Sequence, residues 1–263
     1  MTIEELEKLD DEEYEVALAI IALLITDSKT IGMSLRDEVG MWFSRYAEDG
    51  KYTYRQARKV LTHRELVRFN ARYGSKFKRL TRQSALRYII QRASAKLREK
   101  SHEKLRNLAD KMLETEEKAF GATLEDADLV NQKWGEDNKS PIERVDAKVD
   151  KFMISAQTEV ERVMYTSGNA HEAEEAIDKL MLTLASALTL LYTTEGTAMT
   201  SFARGGIFKQ LGYGFYKFVA LRDERTCEVC GSLHGTIFPM SAYMPGITAS
   251  PMHPRCRCQE VGV

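Results

Sequence analysis

The sequence predicts a mainly α fold: an elongated helical body with a small C-terminal α+β domain. Three observations predict it. Helix start signals and apolar residues at helical spacing fill the first three quarters of the 263-residue chain, aromatic and β-branched residues take over after Gly206, and all four cysteines lie between positions 227 and 258. With 43% hydrophobic and 29% charged residues the composition is that of a folded chain rather than a disordered one.

Taken in order, helices are expected over 3–25, 34–48 and 54–72, separated by "DSKTIGMS", "EDGKYT" and "RYGSKF". Leu80 to Phe120 contains no proline or glycine and spaces Leu86, Ile89, Ile90, Ala93, Leu97, Leu105, Leu108 and Met112 along one helical face, which predicts one long helix or two nearly collinear ones. Ser140-Pro141-Ile142-Glu143 combines an N-cap serine, a proline at the first helical position and a glutamate at N3, so a helix starts there and runs to the "TSG" at 166–168. Asn169 with Glu172 opens the next, and Gly205-Gly206 is its expected stop. "GYGFYKFVAL" and "GTIFP" then supply two strands. The organisation that follows is a helical N-terminal region over 1–138, a long helical pair over 139–206 and a C-terminal unit over 207–263.

Acidic residues crowd Met1 to Tyr14, where a signal peptide needs basic and apolar ones. The apolar runs near residues 20 and 186 fall short of the ~20 residues of a bilayer-crossing helix, so no membrane span is expected. The net charge of -1 conceals alternating blocks: residues 1–50 hold 13 acidic and 4 basic side chains, residues 51–108 hold 18 basic and 3 acidic, and residues 109–179 hold 18 acidic and 9 basic. Arg64, Arg68 and Arg72 recur every four residues, with Arg79 and Arg82 close behind, forming a candidate contact for DNA or an acidic partner. Neutralisation by the acidic blocks on either side is the simpler account of the same residues. The interleaved Tyr52, Tyr54, Phe69, Tyr73, Phe77 and Tyr88 read as core rather than as stacking platforms.

The cysteines carry the sharpest signal. Cys227-x2-Cys230 is followed after 22 residues by His253-x2-Cys256-x-Cys258. Three thiolates and an imidazole at such spacing form a closed structural zinc site, with Cys227, Cys230, His253 and Cys256 as ligands, Cys258 competing for the fourth place and His234 as a further candidate. Arg225, Arg255 and Arg257 would offset its negative charge. A redox CxxC lacks its βαβ context, and two disulfides belong to an oxidising compartment. Glu224 and Glu228 flank the first pair, but no HxE or HExxH pattern accompanies them, so a structural zinc is preferred over a catalytic one.

These residues resemble a known signature. Asp223, Arg225, Thr226, Cys227, Cys230, Leu233, Gly235, Phe238, Pro239, His253, Pro254, Cys256, Arg257 and Cys258 fall on the pattern of the Mu F-like family of phage head morphogenesis, or minor capsid, proteins, over about residues 190–260. That family carries an Arg-Thr-Glu step on the preceding helix, where this chain has Thr193-Thr194-Glu195. With threonine in the arginine's place, Glu195 reads as an exposed helical glutamate. The resemblance implies a zinc-binding, non-enzymatic virion protein, assembled in the host cytoplasm in several copies per head. Its implied partners are the portal protein or inner capsid surface, with DNA as a further one. A nucleic-acid-binding module with a structural zinc, and a hydrolase using the zinc or Glu195, are the alternatives.

Overall fold

A computed structural model describes the chain except residues 1, 2, 126 and 222–225. Asp223, Glu224 and Arg225 therefore lie outside the described residues. Helices α1 (Ile3–Tyr46), α2 (Tyr54–Ala57), α3 (His63–Tyr73), α4 (Arg82–Phe120), α5 (Pro141–Tyr165) and α6 (Ala170–Gln210) precede strand β1 (Phe215–Val219), helix α7 (Glu228–Leu233) and strands β2 (Ile237–Pro239) and β3 (Gln259–Gly262). The fold is thus mainly helical with a small C-terminal sheet.

Where a hydrogen bond between near neighbours defines an end, the expected boundaries hold. Ser140 and Glu143 form a reciprocal capping box at α5, Ser140 N donating to Glu143 Oε2 at 2.7 Å and Glu143 N to Ser140 Oγ at 3.3 Å. Glu172 N donates to Asn169 Oδ1 at 3.0 Å before α6. The segment expected as one helix over 54–72 is split, because Thr53 caps α2 and a second box, Thr62 with Glu65, starts α3.

Two expected breaks do not occur. α1 runs through Gly32, where an added Cβ would stand 2.8 Å from the Met181 side chain, and α6 runs through Gly205 and Gly206, which face the Tyr243 ring and Leu124 at 2.5 and 2.9 Å. These glycines admit a neighbour rather than end a helix. α6 ends instead before Gly212, whose φ of 81° takes the left-handed region. Being unbroken, α1 and α6 are long and apolar enough to cross a bilayer, contrary to the expectation from length. Both nevertheless contribute buried core positions, including Ile21, Leu24 and Val39 of α1 and Leu188, Tyr192 and Ile207 of α6.

The chain divides into two compact units. One comprises residues 26–99 and 148–185. Its core joins Leu35, Val39, Phe43, Leu86, Ile90, Val149, Val160 and Ile177. Trp42, Phe69, Tyr73, Phe77 and Tyr88 pack ring against ring beside that core, as expected for core aromatics. The other comprises residues 1–25, 100–147 and 186–263 and carries the sheet. Central β1 pairs antiparallel with β2, Tyr216 opposite Phe238, and with β3, Phe218 opposite Glu260. Tyr216 turns inward against Phe208, Met240 and Ala249, and Phe218 against the cysteines.

Replacing Gly205 with valine is expected to force Tyr243 off α6 and destabilise the protein by about 1–3 kcal/mol, the usual range for overpacking. Urea unfolding followed by circular dichroism checks it.

Candidate metal centre

The two halves of the cysteine pattern meet at one end of the sheet. Cys227 caps α7, its Sγ accepting from Cys230 N at 3.4 Å, so the first pair is presented by a single helical turn. The second half closes through Cys256 N, which donates to His253 O at 3.1 Å while Arg255 takes a positive φ of 61°. Cys258 immediately precedes β3. Gly235, at φ 80°, lets its N–H donate to Phe218 O at 2.8 Å, and Leu233 and Phe238 pack against the sulfurs.

Among the described residues, Cys227, Cys230 and His253 hold their donor atoms within 4.8 Å of one another, and so do Cys230, Cys256 and Cys258. Cys230 is common to both groups. Its Sγ lies 3.8 Å from that of Cys256, far beyond a disulfide bond, and all four cysteines are free. Two sulfurs each ~2.3 Å from one tetrahedral ion are separated by about 3.8 Å, so this pair matches an edge of such a site. The space bordered by Cys227, Cys230, His253 and Cys258 measures about 20 Å³, the scale of a single ion. His253 Nδ1 lies 2.9 Å from Pro254 O, a contact that suits a ring donating from Nδ1 and keeping Nε2 for a metal. Each group holds three donors rather than the four of a closed tetrahedron, and the residues can hold a thiophilic metal ion. His234 is outside both groups; its Nδ1 accepts from Ala220 N at 3.2 Å and fastens the end of β1.

Electrostatics point the same way. Burial, reinforced by the neighbouring Cys256, pushes the Cys230 thiol up to about 12. A hydrogen bond from Cys258 draws Cys256 down to about 5, and the same contact drives Cys258 upward. Sulfurs this close cannot all ionise without a cation among them.

Beneath the cluster lies a buried ionic network that sequence reasoning missed. Arg204 of α6 has no exposed surface. Its Nε donates to Glu116 Oε2 at 2.9 Å, its Nη2 to Glu116 Oε1, and its Nη1 to Gln259 Oε1 at 2.8 Å. Glu260, equally buried, accepts from Ser250 N at 2.6 Å. β3 is thereby tied to α4, α6 and the segment leading to His253. The adjacent Gly205-Gly206, which permits close approach, was the available signal.

Glu195 is buried rather than exposed, at 0%. Trp134 Nε1 donates to its Oε2 at 2.8 Å, and Arg144 of α5 pairs with it at 3.3 Å while also bonding Trp134 O at 2.7 Å. Arg144 thus supplies a cation where Thr193 has none to give. Burial raises Glu195 from an ordinary 4.5 to about 7, outweighing the opposing pull of Arg144 and Trp134.

The basic candidates lie in the other unit. Arg64, Arg68 and Arg72 share α3, Arg79 sits in the loop before α4, and Arg82 is the first residue of α4. Arg72 pairs with Glu38 at 3.2 Å, and the Arg82 guanidinium lies 4.0 Å over the Tyr46 ring. Arg87 and Arg98 pair with Glu161 and Asp150, so the acidic blocks neutralise part of the basic one. Arg64, Arg68 and Arg79 are exposed and form no ion pair among the described residues.

A mainly helical protein whose short C-terminal sheet carries a Cys/His cluster is the class these features define. Residues 145–261 match the family described as Phage Mu protein F like protein. The match begins in α5 and takes in all of α6, further upstream than the cysteine signature. No curated protein and no solved structure matches the chain.

Glu195 generates a pH prediction. Because its folded pKa lies above the unfolded value, its contribution to stability is complete below pH ~4.5 and is lost as pH rises through about 7. Amides of the 127–140 segment, corrected for intrinsic exchange, should therefore exchange faster at pH 8 than at pH 6. Glu195→Gln should remove most of that difference.

Proposed function

We propose that this is a minor head protein of a tailed phage, acting structurally in capsid assembly and in DNA packaging or delivery near the portal vertex. The observation that carries the reading is the Mu F-like match over residues 145–261, which supports a role in phage head morphogenesis. Its partner is then the portal protein or the inner capsid surface, and its place the virion. The burial of Glu195 against Trp134 and Arg144 favours a positioning role for that carboxylate over attack on a substrate.

In this reading the bound metal is zinc, held by Cys227, Cys230, His253 and one of Cys256 and Cys258, and its work is to fold the C-terminal unit. Three strands of five, three and four residues make too small a sheet to stand alone. Elemental analysis is expected to find one zinc per chain. Cys230→Ser or chelation should lower the melting temperature and release β1–β3 first in hydrogen exchange, with the unit of residues 26–99 and 148–185 retained. A metal-free protein with four freely titrating thiols and an unchanged melting temperature would exclude it.

A second reading, a nucleic-acid contact, is favoured by the exposed Arg64, Arg68 and Arg79. Pull-down against the portal protein and retention on duplex DNA at low salt separate the two. Portal capture that survives alanine at Arg64, Arg68 and Arg72 supports the head role without DNA; salt-sensitive retention lost in that variant supports the DNA contact. Failure to associate with portal or assembled heads would sink the first reading.

A further inference from the structure

Beside the metal cluster lies a cavity of about 700 Å³, within the ~300–1,000 Å³ typical of small-molecule sites. α1 supplies Asp10, Asp11 and Glu13 to its wall, the segment after His253 supplies Arg255 and Arg257, and the buried Arg204 borders it.

The carboxylates are not equivalent. Asp10 accepts from Gln259 Nε2 at 3.0 Å and feels the charge of Arg257. Glu116 takes two edges of Arg204. Glu13 is less well matched: its Oε1 is buried with no hydrogen-bond donor, and its ion pair, at 3.5 Å, is with Arg204 Nη2, which is already bonded to Glu116. The side chain is only 7% exposed yet lines the cavity. Arg204 feels the charges of Glu13, Glu116 and Glu260 together. Burial, with the charge of Glu116 and a side-chain hydrogen bond with it added, holds Glu13 well above the usual carboxylate range. A buried acceptor without a donor, beside an excess of acid, is a costly arrangement that an incoming cationic donor relieves.

We propose that this cavity binds a ligand through a primary ammonium or guanidinium group seated on Glu13, with Asp11 at the exposed side. Such a group donates to Oε1 and adds positive charge where Glu13 has only a part of that of Arg204. An anion at the same place would meet the same carboxylates. The shared chemistry has two sources, a free polyamine and a lysine or arginine side chain of a partner chain.

Calorimetry on the full-length protein tests this with putrescine, a blocked Gly-Lys-Gly peptide and a blocked Gly-Arg-Gly peptide, with n-butanol as the uncharged control. Saturable binding of at least one cation is expected, with none for butanol. Glu13→Gln should weaken it at least tenfold, and Asp11→Asn severalfold. Putrescine binding alone identifies a free amine, and peptide binding alone a partner's side chain. No saturable binding by any of the cations, or binding unchanged in both variants, overturns the proposal. Should Glu13→Gln fail to fold by circular dichroism, Asp11→Asn, which removes an exposed carboxylate, decides the matter by itself.

Discussion

A guanidinium with no exposed surface must find its partners inside the protein, and Arg204 organises the cysteine-bearing unit around that requirement. Glu116 engages two of its edges from α4, and Gln259 engages a third from the first residue of β3. β3 therefore cannot slide along β1 without breaking a charge-assisted hydrogen bond in the interior. Cys258 is the residue before Gln259, so the same constraint places the second half of the metal cluster. Glu260 extends it by holding Ser250 N at 2.6 Å, three residues before His253.

The metal cluster and the ionic network divide one task. The sheet alone buries few side chains: Tyr216 and Phe218 of β1 turn inward, while Phe215 and Ile237 remain exposed. Packing of Tyr216 against Phe208 and Met240 secures the side next to α6, and Phe218 with the sulfurs forms the other. Three crowded sulfurs whose thiol pKa values are driven apart, Cys230 and Cys258 up and Cys256 down, become mutually compatible when a cation joins them. Were a metal bound there, its binding and the ordering of this end of the sheet would be one event.

The alternating charge blocks resolve in a similar way. Arg72 with Glu38 joins the basic block to the first acidic one, while Arg87 with Glu161 and Arg98 with Asp150 join it to the next. These pairs are partly exposed, and exposed ion pairs contribute little to stability. Their effect is to lower the positive charge available to a partner, leaving Arg64, Arg68 and Arg79 among the outward remainder.

What the sequence by itself determined is what depends on near neighbours. Ser140 with Glu143, Asn169 with Glu172, and Cys227 with Cys230 each act across three residues, so their spacing encodes the contact, and the helix starts and the first half of the cluster were legible from it. That His253, Cys256 and Cys258 gather with the first pair was legible because all the cysteines and a histidine crowd one short segment. Burial was not legible, because it depends on residues distant in the chain. Gly32, Gly205 and Gly206 looked like helix ends until Met181, Tyr243 and Leu124 were seen against them. Glu195 looked exposed until Trp134 and Arg144 enclosed it, and Arg204 drew no notice at all. A charged side chain on a helix has the same local pattern whether it faces water or a buried partner, and only the tertiary structure decides which.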